Sequence, residues 1–163
     1  MTVVQLPSVT APVRPPVGGI PGARVLVSSV PSDSHVWNLI VLQLLIEEMG
    51  AEVVNLGPCV PVETLRQACR EHRPDCVVIS TVNGHGYFDG RQLITELRAD
   101  DQLAGLPVVI GGLLHTGGGD TRAVRADLLA CGFDEVFPVA GGAAEAAEQV
   151  LRRFLTARLA ARP

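Results

Sequence analysis

The chain contains no lysine: its 13 cationic side chains, spread over 163 residues, are all arginine. That absence excludes Schiff-base catalysis, a phosphate-binding loop ending in Gly-Lys, and a receiver-type phosphoacceptor centre with its lysine. Aromatic residues reach only 4%, few for stacking on a flavin. The net charge of −4 comes without any basic stripe, which argues against nucleic acid as a partner. Cys59, Cys69, Cys76 and Cys131 are widely spaced and form no Cys-x-x-Cys pair, so they are expected as free thiols and not as a disulfide frame or zinc site. Long apolar runs are missing too. The longest, Val36 to Met49, is interrupted by Asn38, Gln43, Glu47 and Glu48, short of the roughly 20 residues of a membrane span. No basic, then apolar, leader with a cleavage site opens the chain, and a cytoplasmic home is expected.

What remains is a chain with 47% apolar residues, suited to one domain with a substantial core. Residues 1–22 hold Pro7, Pro12, Pro15, Pro16 and Pro21 among Gly18, Gly19 and Gly22; they are expected as a flexible tail ahead of a domain over 23–160. From there, apolar runs of strand length alternate with helical ones. Strands are predicted at 24–29, 51–56, 75–80, 107–110 and 134–137, and helices at 36–49, 62–72, 90–98, 121–131 and from 143 onward. The strands lack in/out alternation, as expected when helices cover both faces. Five β/α units joined by right-handed crossovers make an α/β fold, most simply a flavodoxin-like parallel sheet of order 2-1-3-4-5.

In that order the switch point lies between strands 1 and 3. The turn Ser32-Asp33-Ser34-His35-Val36-Trp37-Asn38 then faces the loop after Ser80, which carries Gly84 and Gly86, with Gly111-Gly112 alongside. An imidazole can ligate a metal through one ring nitrogen while the other donates to a carboxylate, and Asp33 with His35 supplies both groups. From the turn alone, Asp33 could equally be a helix N-cap and His35 a first-turn surface residue. Small residues at three neighbouring strand ends suit a long ligand segment sliding between sheet and helices, although each glycine alone also suits a turn.

These residues resemble the cobalamin-binding domains, and within them the small subunits of adenosylcobalamin-dependent glutamate mutases. The family pattern is Asp-x-His-x-x-Gly after the first strand, a Ser-x-Leu-type strand end with Gly-x-Gly, and Gly-Gly after the fourth strand. Here it reads Asp33-Ser34-His35-Val36-Trp37-Asn38, then Ser80-Thr81-Val82 with Gly84-His85-Gly86, then Gly111-Gly112, within a likeness over about residues 23 to 155. Asn38 stands where the pattern has glycine.

The resemblance implies that His35 is the lower axial ligand of cobalt, replacing the cofactor's own base, with Asp33 as its hydrogen-bond partner. Ser32, Ser34 and Val36 would flank that ligand, and Asn38, in place of the pattern's glycine, would either contact the nucleotide tail or narrow its slot. Ser80 would lie at the pocket for the freed nucleotide tail, and Val82, Gly84 and Gly86 against the corrin or tail. Gly111 and Gly112 would let the backbone approach the nucleotide, while Phe137, Pro138 and Gly141 would border the base. It implies further that a catalytic large subunit, expected to be a TIM barrel, holds the small-molecule substrate. The chain would not be active alone. A corrinoid carrier for a methyltransferase and a non-enzymatic cobalamin sensor are the competing expectations.

Overall fold

The computed structural model describes residues 19–116, 120–139 and 144–160, and the side chains of the last stretch from residue 147. Five strands, β1 (Arg24–Ser29), β2 (Glu52–Asn55), β3 (Cys76–Thr81), β4 (Val108–Gly112) and β5 (Glu135–Pro138), alternate with five helices: α1 (Trp37–Glu48), α2 (Val62–His72), α3 (Gly86–Arg98), α4 (Thr121–Cys131) and α5 (Ala144–Leu159). All strand pairs are parallel and the order is β2-β1-β3-β4-β5, the predicted flavodoxin-like sheet.

Alternate side chains of the central strands enter two separate cores, which is why these strands are apolar at successive positions. Leu26, Val77, Ile79, Val108 and Ile110 pack with Leu65, Cys69, Leu93, Leu97 and Leu128, from α2, α3 and α4. Val25, Val27, Val78 and Val109 pack with Leu39, Ile46, Leu151 and Leu155, from α1 and α5. Two helices, α1 and α5, therefore cover one face of the sheet and three, α2, α3 and α4, the other. The sheet face between α1, which lies over β1 and β2, and α5, which lies against β5, is left to form a cleft.

Three boundaries differ from expectation by more than one residue. Helix α3 begins at Gly86, so the segment 86–89 expected as loop is helical. Asn83 organises the start: its Oδ1 accepts the His85 N–H at 2.9 Å, and the Tyr87 N–H donates to the Leu114 carbonyl at 2.8 Å. Strand β4 runs through both glycines, with Gly111 beside Phe137 and Gly112 beside Pro138. Pro138 is tolerated because β5 is an edge strand, where a missing N–H breaks no central ladder. Of the expected tail over 1–22, residues 1–18 lie outside the described residues. Ile20 is 1% exposed within the α1/α5 core, and its N–H donates to the Met49 carbonyl at 2.8 Å.

Candidate functional site

The cleft opens at the C-terminal ends of β3 and β4, next to the switch point between β1 and β3, and has a volume of about 290 Å³. Its walls are mostly apolar: Val41, Leu42 and Leu45 from α1, Val78 from β3, Phe137 from β5 and Leu151 from α5. Gly111 and Gly112 form part of the floor. Side chains there would close it. A Cβ on Gly111 would sit 3.1 Å from the Phe137 carbonyl oxygen, and one on Gly112, whose φ is +108°, would fall 1.9 Å from the Thr81 carbonyl oxygen.

At the head of this cleft, the β1–α1 turn is fastened to the end of β3. Asp33 is fully buried at 0% exposure. Its Oδ1 accepts the His35 backbone N–H at 3.0 Å and meets His35 Nδ1 at 2.7 Å. Its Oδ2 accepts the Val82 N–H at 2.6 Å. The turn is held from below as well, since the Asp33 carbonyl accepts from Cys59 N–H at 2.8 Å. Asp33 does not cap α1, whose N-cap position is Val36 with no side-chain cap bond. Burial alone would push the Asp33 carboxyl up. Hydrogen bonds from the His35 and Val82 backbones and from the His35 and Thr81 side chains outweigh it and hold the group below the usual carboxylate range.

An ionised carboxylate only accepts, so His35 Nδ1 carries the hydrogen and the lone pair of the neutral ring sits on Nε2. The His35 side chain is 58% exposed, and Nε2 has no hydrogen-bond partner among the described residues. Among those residues no three His, Cys, Asp or Glu side chains converge on a common point. His35 can thus serve as a single donor to a metal whose other ligands come from a carrier molecule, and it does not belong to a chelating set.

The other predicted positions divide into two groups. Asn38, Ser80, Val82, Gly111, Gly112 and Phe137 all line the cleft. Asn38 Nδ2 donates to Ser80 Oγ at 2.8 Å, joining α1 to β3 across the cleft's upper end. Ser32, Ser34 and Val36 are exposed around His35; Ser32 pairs with Asp89 and accepts from Asn83 Nδ2, the latter at 2.8 Å. Gly84 and Gly86 are not among the cleft residues. Both are buried, Gly84 against Thr116 and Gly86 against Thr81 and Leu114, where they allow the start of α3 to pack closely. Pro138 ends β5 next to the lining residues Phe137 and Val139, and Gly141 lies outside the described residues. His85 is exposed at the start of α3, and His115 Nε2 lies 3.4 Å from Thr121 Oγ1.

Sequence reasoning missed the walls contributed by the two helices, Val41, Leu42 and Leu45 on one side and Leu151 on the other. A signal existed. Helix α1 is apolar nearly all round, with Val41 59% and Leu44 61% exposed beside buried Leu39, Leu45 and Ile46. A helix packed against a sheet on one side and open to water on the other has no need of that second apolar face.

Comparison with known proteins agrees with this geometry. Residues 23–151 match the B12 binding domain. The chain is 33% identical over 128 residues to the glutamate mutase sigma subunit 1 of Haloarcula marismortui, a match covering 77% of this chain and 82% of that one. Among solved structures it resembles a novel cobalamin-binding protein from Desulfitobacterium hafniense, with a TM-score of 0.61 and 24% identity over 80% of this chain and 58% of that one. The Methanosarcina barkeri monomethylamine corrinoid protein has the same fold, with a TM-score of 0.61 and 17% identity over 81% of this chain and 57% of that one. With a family match spanning the whole sheet, and with the cleft beside its switch point, the chain belongs to the B12-binding domain family.

Proposed function

We infer that the chain is the cofactor-holding subunit of an adenosylcobalamin-dependent carbon-skeleton mutase of the glutamate mutase type. The observation that carries this reading is the Asp33–His35 pair, whose Nε2 faces outward at the head of a mostly apolar cleft. The residues fit the group. A corrin supplies four equatorial nitrogens to cobalt and needs one axial donor, which is what His35 offers, and the freed nucleotide tail needs a slot lined by apolar walls and bare backbone.

His35 would hold cobalt through Nε2, and Asp33 fixes its tautomer. Ser32, Ser34 and Val36 surround that ligand. Ser80, Val82, Gly111, Gly112, Phe137 and Pro138 receive the tail. Adenosylcobalamin, when bound, supplies a carbon–cobalt bond that can be cleaved homolytically. This chain's part is to bind the cofactor, to displace its own base and to present its upper face. A catalytic partner subunit, which the sigma-subunit name of a relative supports, covers that face; the proposal extends to a TIM barrel that holds the small-molecule substrate in the cytoplasm. The fold shared with a corrinoid protein supports a second reading, a carrier serving a methyltransferase. The upper ligand found after purification, adenosyl or methyl, separates the two.

The test is retention of cobalamin on gel filtration by the protein and by His35→Ala, with EPR of the cob(II)alamin form on ¹⁵N-labelled protein. A protein-derived axial nitrogen that disappears in the variant is the expected result. Retained cobalamin with its own base still coordinated would overturn the assignment of His35.

A further inference from the structure

Asn38 occupies the place where the family pattern has glycine, and the structure shows what its amide does there. One Nδ2 hydrogen is donated to Ser80 Oγ at 2.8 Å. Oδ1 is buried and has no hydrogen-bond partner, although Asn38 lines the cleft. A buried acceptor left unpaired is costly, and one facing a ligand cleft is explained if a ligand supplies the donor. Ser80 accepts from Asn38, and its own hydroxyl hydrogen has no acceptor among the described residues.

The pair therefore leaves unpaired, beside the cleft, the Oδ1 acceptor and two donor hydrogens, the second of Nδ2 and that of the Ser80 hydroxyl. Turning the amide over exchanges these roles between the two residues and leaves the same complement. Below the pair the walls are the aliphatic and aromatic side chains of Val41, Leu42, Leu45, Val78, Phe137 and Leu151. The one charged lining residue is Glu148, whose sign repels a phosphate. A flat heterocycle suits these walls better than a sugar-phosphate does. A heterocycle that matches the pair carries a donor beside an acceptor, as an amino group next to a ring nitrogen does. Dimethylbenzimidazole has the ring nitrogen and two methyl groups, but no donor.

We propose that Asn38, acting with Ser80, reads the base of the corrinoid's nucleotide tail and favours an aminopurine-type base over dimethylbenzimidazole. This rests on the cofactor reading above. Asn38 is thus a specificity-determining residue of the tail site.

The experiment titrates the whole chain with aquo-corrinoids bearing either an adenine or a dimethylbenzimidazole base, and does the same for Asn38→Ala and Asn38→Gly. Quenching of Trp37, the sole tryptophan, next but one to His35 and 79% exposed, reports binding. Dimethylbenzimidazole grips its own cobalt more tightly than adenine does. The preference is accordingly taken as a ratio of the two affinities and compared between wild type and variants, in which that intramolecular cost is unchanged. The adenine-over-dimethylbenzimidazole ratio should fall roughly tenfold in both variants, the value of one hydrogen bond to a buried acceptor. The alanine variant keeps helix propensity and the glycine variant restores the family residue, so a packing effect of either replacement alone would not lower both ratios. An unchanged ratio, including equal gains or losses for both corrinoids, would overturn the inference and show that Asn38 only fills space or meets the ribose. Failure of wild type to bind either corrinoid would overturn the cofactor reading itself.

Discussion

Replacing Asp33 by Asn removes one formal charge at constant shape, and the structure makes its cost calculable. The carboxylate accepts hydrogen bonds from His35 N–H, His35 Nδ1 and Val82 N–H, with the Thr81 side chain also contributing and no water access. An amide has one acceptor oxygen. If it keeps the His35 side, its NH₂ faces the Val82 N–H; if it turns, its NH₂ faces the His35 N–H. Either way a buried backbone donor is orphaned and a charge-assisted bond is lost, together about 3 kcal/mol. For a domain of this size that lowers Tm by roughly 10 °C. The sign with pH follows from the carboxyl being held below its usual range in the folded state. Its stabilisation is complete above the unfolded value, near 4, and disappears as pH falls through the lower folded value. Urea denaturation of both proteins should show a gap of about 3 kcal/mol near pH 7 that closes on acidification, at a lower pH than an ordinary carboxylate titrates. Equal stabilities near pH 7, or a gap that persists into strong acid, would refute the account of Asp33 as a buried, ionised clamp.

Gly111→Val places a branched side chain over the cleft floor, starting from a Cβ 3.1 Å from the Phe137 carbonyl oxygen. It should destabilise the fold by about 1–2 kcal/mol and weaken cobalamin binding at least about tenfold, while leaving binding of cobinamide, which lacks the nucleotide tail, unchanged; isothermal titration with both ligands checks this, and equal losses would show that the tail does not use the floor. The thiols give an independent check on packing. Burial pushes Cys69 and Cys76 up to about 12, whereas Cys59 is exposed. A thiol reagent near neutral pH should therefore modify Cys59 quickly and Cys69 and Cys76 only on unfolding, as peptide mapping would show.

Much of the sheet was legible because buried parallel strands are continuous apolar runs, and the order 2-1-3-4-5 then places the Asp33 turn beside Val82 without further information. What local pattern could not decide was the partner of each polar group. Asp33 looks like a helix cap in sequence, because Asp before a helix caps in most contexts. Its partner Val82 lies 49 residues away, and that tertiary contact prevails over the local one. The departure at Asn38 was visible, but its bond to Ser80 spans 42 residues and exists only once α1 is laid over β3. Glycines are ambiguous for a similar reason. Gly84 and Gly86 have the composition of a ligand loop, yet Gly86 is inside α3, buried against Thr81 and Leu114, and glycine needed for close packing reads the same as glycine needed for a turn.

The position of the cleft follows from winding direction. In this order α1 and α5 fall on one face and α2, α3 and α4 on the other, so one side of a five-stranded sheet has a helix fewer. Such a sheet would expose the ends of β3 and β4 unless something apolar covered them. The second apolar face of α1, with Val41 and Leu42, leans toward the gap, and Leu151 of α5 faces it from the other side. On this geometry a bound nucleotide tail would take the place of the missing third helix and complete that core. The same clamp that aims His35 also fixes the beginning of α1, because Asp33 joins the turn ahead of that helix to the end of β3. If His35 ligates cobalt, metal ligation and formation of the tail slot would be two consequences of one ordered segment, residues 30–46. A change that loosens Asp33 should weaken a tailless corrinoid through His35 and a complete one through both contacts.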